Sequence, residues 1–233
     1  MPETIDALAT RIMAAPAPVV FPDTCSILDV IRSVFRLGMQ GDVVSATRRL
    51  TNRARQVPGS IWIAIPQQIE REWNDNSQKV KGELTAVISQ TDQQSTRLTA
   101  TAALLLPTDR ISRLLLPLKL DDHIFAVAQE FKNSAYIIAN DSDCIARAHG
   151  RLVQRIAPSG GLKQQYKDCV VIEHCLALCG TLRTRGFGRR FVFVSSNSDD
   201  YGKPQSAHPP LDSEFRAVGL EYVANLAWAD SLI

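Results

Sequence analysis

The stretch VVFPDTCSILD, Val19 to Asp29, decides the fold class. Val19, Val20 and Phe21 form a short apolar run closed by Pro22, the pattern of a buried strand. Ile27, Val30, Ile31, Val34 and Leu37 then recur at helical spacing over 26–37. A buried strand followed at once by an amphipathic helix is the beginning of a βαβ unit. The alternation repeats outward. SIWIAI (60–65) reads as a second strand, and a long polar helix starts just after Pro66. RFVFVSS (190–196) reads as a third strand and LEYVANL (220–226) as a weaker fourth. The segments 41–55, 121–131, 141–153 and 166–183 carry helical patterns, and the middle from about 91 to 157 is mostly helical in pattern. Strands separated by helices predict an α/β domain around a parallel sheet.

Composition narrows the function classes. The chain has 233 residues, 45% hydrophobic and 21% charged, which suits a folded protein with a sizeable core. A net charge of +2 does not by itself mark a nucleic-acid binder. The five cysteines (Cys25, Cys144, Cys169, Cys175 and Cys179) form neither a disulfide framework nor a CxxC zinc site. Buried thiols explain Cys175 and Cys179, which lie four residues apart on an apolar helix. The beginning of the chain lacks the pattern of a signal peptide, and no stretch is apolar enough to span a bilayer, so a cytoplasmic protein is expected.

The acids carry the functional signal. In an open parallel sheet, ligands bind in the crevice at the carboxyl ends of the strands. Asp23 follows the first strand. Glu70 and Glu72 lie in the first turns after the second. Asn197, Asp199 and Asp200 follow the third. Asp168 opens the apolar helix leading into the third strand, and it reaches the same edge if that helix runs antiparallel to the strands. Each acid has a plainer reading. Asp23 or Thr24 can cap the next helix, Glu70, Glu72 and Asp168 can be first-turn acids, and SSNSDDYG can be a polar turn. Their convergence is harder to explain that way. Several carboxylates in one crevice repel one another unless a cation neutralises them, and all-oxygen donors select Mg²⁺ or Mn²⁺.

Four segments in order, VVFPDTCSIL, IPQQIEREWNDN, KDCVVIEHCLAL and FVFVSSNSDDYG, resemble the PIN-like nuclease family, most of all the larger bacterial PIN-like group of uncharacterised function. The resemblance covers the first strand, 61–76 and most of 163–226. It implies a three-layer α/β sandwich with a central parallel sheet of about four to five strands. On that reading residues 1–233 form one domain, with a core of about 16–76 and 161–233 and an enlarged helical insertion of about 77–160. It also implies metal-dependent hydrolysis of phosphodiester bonds, most often in RNA. Asp23, Glu72, Asp168 and Asp200 would hold one or two Mg²⁺ or Mn²⁺ ions, and Asn197 would orient one of them or a water. Glu70, Glu173, Asp199, Thr24 and Ser196 are secondary candidates.

For the nucleic acid, Lys163, Gln164 and Lys167 lead straight to Asp168 and are the candidate contacts. The runs 48–55 and 183–190 each carry four arginines; the second immediately precedes its strand, so it lies at the opposite edge from the acids and reads as a solvated loop. Phe187 can stack on a base or simply pack. A haloacid-dehalogenase-type phosphatase would need a second Asp where Cys25 stands. The alternatives are a catalytically weak PIN-like interaction module, using the helical insertion for a protein partner or for self-association, and the toxin of a toxin–antitoxin pair.

Overall fold

The computed structural model describes residues 1–36, 42–56, 59–105, 114–159 and 165–233. Helix α1 (Ile5–Ala14) leads to strand β1 (Val19–Pro22), helices α2 (Thr24–Arg32) and α3 (Val43–Arg55), strand β2 (Trp62–Pro66) and the long helix α4 (Gln67–Leu105). Helix α5 (Leu120–Asn133), strand β3 (Tyr136–Ile138), and helices α6 (Ser142–Gln154) and α7 (Tyr166–Thr184) follow. Strand β4 (Phe191–Val194) leads to a short helix α8 (Ser198–Tyr201) and a hairpin of β5 (Gly202–Lys203) and β6 (Ser206–Ala207). Helix α9 (Leu211–Val218), strand β7 (Leu220–Val223) and helix α10 (Leu226–Leu232) complete the order.

The main sheet has the order β3-β2-β1-β4-β7, with every pairing parallel. Strands β1, β2 and β4 are buried at every position. That is why they read as unbroken apolar runs: a parallel sheet is covered on both faces, so inward and outward positions alike need apolar side chains. Helices α2, α3, α4, α5 and α10 pack on one another, as do α1, α6, α7 and α9. The sheet lies between these two helical layers.

The chain builds outward from β1 to β2 and β3, then returns to β4 on the other side. The order therefore reverses between β1 and β4, and a switch point opens a crevice at the carboxyl ends of those two strands. Register fixes its rim. Pro22 pairs with Val194, the Asp23 N–H donates to the Val194 carbonyl at 2.8 Å, and the Ser195 N–H donates to the Val223 carbonyl at 3.0 Å.

Several sequence expectations change. Strand β3 falls inside the 77–160 segment read as a helical insertion, where it forms one edge of the sheet. It has three residues, too few to establish a period of two against flanking helices. Helix α2 starts at Thr24 and ends at Arg32, so Val34 is exposed rather than part of the apolar stripe, and Leu37 lies outside the described residues. Helix α4 is continuous from Gln67 to Leu105. Its buried positions, Ile69, Trp73, Ser77, Val80, Leu84, Ile88 and Asp92, follow helical spacing and then stop. Asp92 ends the buried stripe by accepting the backbone N–H groups of Leu115 and Leu116. No helix among the described residues is long and apolar enough to cross a membrane.

Phe193 lies at the centre of an aromatic group on β4, with ring centroids 5.0 Å from Tyr201, 5.8 Å from Tyr222 and 6.1 Å from Phe215. The group ties β4 to β7, α9 and the short helix after β4. Phe193→Ala removes its hub and is expected to lower the unfolding free energy by ~3–5 kcal/mol. A urea denaturation midpoint equal to that of the unsubstituted protein would contradict this placement.

Candidate active site

Asp23 leaves β1 as the N-cap of α2. It is buried and held on both carboxylate oxygens. Oδ1 accepts the Thr24 N–H at 2.8 Å, and Oδ2 accepts the Ser195 hydroxyl at 2.9 Å. Ser195 also accepts the Asn197 N–H through its hydroxyl oxygen at 3.1 Å. The capping reading of Asp23 and the site reading thus hold together, since one oxygen serves the helix and the other faces the switch point.

Glu72 stands in the second turn of α4. It accepts the Thr24 hydroxyl at 2.6 Å and the Gln68 side-chain amide at 2.8 Å. Asp168 lies in the first turn of α7, which leads into the amino end of β4 and so starts toward the carboxyl edge, as the antiparallel argument requires. The buried Tyr201 hydroxyl donates to Asp168 at 3.2 Å. Asp200, in α8, accepts the side-chain amide of Asn197. Four acids from four separate elements therefore share one electrostatic environment. Burial, followed by the charges of Glu72 and Asp200, pushes the Asp23 carboxyl up to about 6, against the lowering effect of its Ser195 and Thr24 hydrogen bonds. Burial pushes Asp168 up to about 8, and the charges of Asp23, Asp200 and Glu72 add to it.

The remaining candidates separate from this group. Glu70 turns to Lys132, at 2.9 Å. Glu173 is buried in an ion-pair network with Arg147 at 2.7 Å and Arg151 at 2.5 Å, and Arg151 also reaches Glu214. Thr24 is close, as the donor to Glu72. Asp199 is exposed beside Asp200. Ser196 points away from the cluster and donates to the buried Asp29. Lys167 is exposed in the first turn of α7, while Lys163 and Gln164 lie outside the described residues. Phe187 is buried and stacks on Phe191 at 5.2 Å, so it packs. His174 is also a core residue, bonded to the Val170 carbonyl and accepting the Asp141 N–H, and burial lowers its pKa.

Sequence reasoning missed three polar neighbours of the acids. Ser195 was passed over for Ser196, yet the parallel register with Pro22 opposite Val194 sets Ser195 beside Asp23. Gln68 precedes Glu72 by one helical turn, a spacing at which side chains meet. Tyr201 closes the SSNSDDY segment.

The donor set suits a hard divalent cation. Asp23, Glu72, Asp168 and Asp200 supply only oxygen, and no lysine or arginine among the described residues pairs with any of them. Their hydrogen-bond partners are neutral. Among the described residues, no three His, Cys, Asp or Glu side chains already converge as a ligand set.

The raised carboxyls give a pH dependence. Asp23 and Asp168 hold protons more tightly folded than unfolded, where an aspartate titrates near 3.9. Their contribution is complete below that unfolded value and is lost as pH rises through the folded values of about 6 and about 8. Thermal unfolding in EDTA is therefore expected to show a midpoint that falls between pH 5 and pH 9, with the upper part of the fall flattened in Asp168→Asn. Parallel curves for the two proteins would remove Asp168 from the cluster.

A family model described as PIN domain matches residues 20–201. The match begins in β1 and ends at Tyr201, so it spans all four acids. No curated protein and no solved structure matches the chain. The five-stranded parallel sheet between helices agrees with this assignment. The chain belongs to the PIN domain family, whose members are generally nucleases acting on nucleic acid and typically use divalent metal ions.

Proposed function

We propose that the protein is a metal-dependent nuclease, most specifically an endoribonuclease, that uses Mg²⁺ or Mn²⁺. The observation that carries this reading is the set of four carboxylates. They come from four elements, burial and the charges of the other acids raise the proton affinity of Asp23 and Asp168, and no lysine or arginine of the described residues forms an ion pair with any of the four. A fold that only needed stability would gain by pairing these acids or replacing them.

In this reading Asp23, Glu72, Asp168 and Asp200 hold the divalent ion, directly or through water. When bound, such an ion lowers the pKa of a water and offsets negative charge on the phosphate and the leaving oxygen. The remaining work belongs to the chain. Ser195 and the Thr24 N–H fix both oxygens of Asp23, so that carboxylate does not need to reorganise. Thr24 and Gln68 do the same for Glu72. Asn197 orients Asp200, and Tyr201 orients Asp168. These neutral donors favour the charged carboxylate, which at Asp23 and Asp168 offsets part of the effect of burial. A second reading, an interaction surface, has its own support. Beyond Asp92, helix α4 continues to Leu105 with no buried residue, and Leu98, Leu104 and Leu105 are exposed.

Purified protein incubated with single-stranded and structured RNA is expected to cut in Mn²⁺ or Mg²⁺ and not in EDTA. Asp23→Asn should reduce the rate by more than about 100-fold, beyond the range seen for partners that merely orient a ligand. Ser195→Ala should reduce it by about 10- to 100-fold. Its loss also takes away a bond that lowers the Asp23 pKa, so the pH–rate profile should move upward. Cleavage that persists in EDTA, or survives in Asp23→Asn, would overturn the assignment.

A further inference from the structure

Helix α6 carries arginines at 147 and 151, one turn apart, and a third, Arg155, is its C-cap residue. The first two are engaged. Arg147 pairs with Glu173, and Arg151 pairs with Glu173 and Glu214 and donates to the Ala157 carbonyl. Arg155 is exposed and has no hydrogen bond or ion pair from its side chain to any described residue. Its backbone takes the left-handed conformation, φ 54°, which ends the helix, and its N–H closes the cap on the Arg151 and Leu152 carbonyls. A non-glycine residue holds this conformation only where its surroundings impose it.

Arg155 lines a pocket of about 400 Å³ together with Ala157, Asp199, Asp200, His208 and Pro209. Asp200 belongs to the carboxylate cluster, so the pocket and the candidate active site share a residue. The His208 side of the pocket is fixed to that cluster through the chain itself. The His208 N–H donates to the Tyr201 carbonyl at 3.0 Å, and the Tyr201 hydroxyl donates to Asp168. Gly202, at φ +84°, makes the close approach possible, since a Cβ there would meet the His208 nitrogen at 2.6 Å.

We propose that this pocket receives a backbone phosphate of the polynucleotide strand, with the Arg155 guanidinium as its principal contact and His208 as the second. The inference rests on the nuclease reading. A strand with one phosphate at the carboxylates has to continue past them, and acids repel the phosphates that follow. A cationic wall directly beside Asp200 gives the strand a direction. Arginine suits the task because its planar fork meets two phosphate oxygens at once. The unpaired state of Arg155 distinguishes it from Arg147 and Arg151, whose charge is already spent on acids.

The test measures binding of a fluorescein-labelled oligouridylate across a salt series, in an Asp168→Asn background that spares the strand. Arg155→Ala is expected to weaken binding by about 10-fold. It should also make the slope of log K against log salt shallower by about 0.7, the loss of one phosphate contact to a single strand. Arg155→Lys should restore the slope but not the full affinity. Arg97→Ala is the control. Arg97 lies on α4 roughly 37 Å of helix rise beyond Glu72, and its loss should change neither quantity. If Arg155→Ala leaves affinity and slope unchanged while the otherwise native protein cuts the same strand, the pocket assignment fails and the nuclease reading stands. If the native protein neither binds nor cuts it in either divalent ion, both fail together.

Discussion

The parallel pairing of β1 with β4 is the constraint on which the rest depends. Because Pro22 and Val194 end the two strands side by side, the residues that follow each strand are forced to meet. Asp23 and Ser195 meet there, and the hydrogen bond between their side chains joins the two halves of the sheet order across the switch point. A slip of one residue would turn every side chain of a strand to its opposite face. Burial of β1 and β4 on both faces forbids that freedom, so the hydrophobic core sets the position of a carboxylate to within a hydrogen bond.

The same rigidity brings an electrostatic cost. Four acids are crowded at a half-buried edge, and two of them hold protons far above the usual aspartate range. The chain shows elsewhere how it treats acids whose task is structural. Glu173 is buried too, but two arginines surround it and one of them continues to Glu214. One protein thus contains two carboxylate arrangements with opposite solutions. At Glu173 the counter-charge is covalently part of the chain. At the switch point the partners are a serine, a threonine, a glutamine, an asparagine and a tyrosine, all neutral donors. Such donors orient a carboxylate without cancelling its charge.

Much of this was legible in the sequence, because buried parallel strands announce themselves. The strands that centre on Val19–Pro22, Trp62–Pro66 and Phe191–Val194 read directly as apolar runs, and topology then predicted which acids share an edge. Strand β3 was not legible. Tyr136–Ile138 is too short for a pattern, and its membership in the sheet comes from pairing with Ala64–Pro66, which no local signal encodes. The extent of α4 was not legible either, because its apolar stripe stops at Asp92 while the helix does not. Among the side chains, the sequence ranked acids by position along the chain. It could not tell which of two adjacent serines faces an acid of the cluster, nor that Glu173 would be consumed by arginines on a helix more than a turn of chain away.

Arginine usage shows why charge density along a sequence is a weak guide to a binding surface. The runs 48–55 and 183–190 look like the basic patches of a nucleic-acid binder. Within them Arg49 pairs with Asp230, Arg53 bonds the Ile233 carbonyl, and Arg55 pairs with Glu130. Arg183 donates to four backbone carbonyls, Arg185 pairs with Asp6, and Arg190 bonds the Leu232 carbonyl. These six side chains fasten helices, loops and the end of the chain to one another, while Arg48 and Arg189 of the same runs have no hydrogen bond or ion pair from their side chains to any described residue. An arginine already bound in this way would have to break a structural bond before it met a phosphate. What a polyanion needs is a cation without a partner, placed where the strand must pass. Arg155 is a single residue in an unremarkable stretch, yet its two predecessors on the helix absorb the nearby acids and leave its charge free beside Asp200. On the proposed reading, binding at this edge follows from which charges the fold leaves unpaired rather than from how many the chain contains.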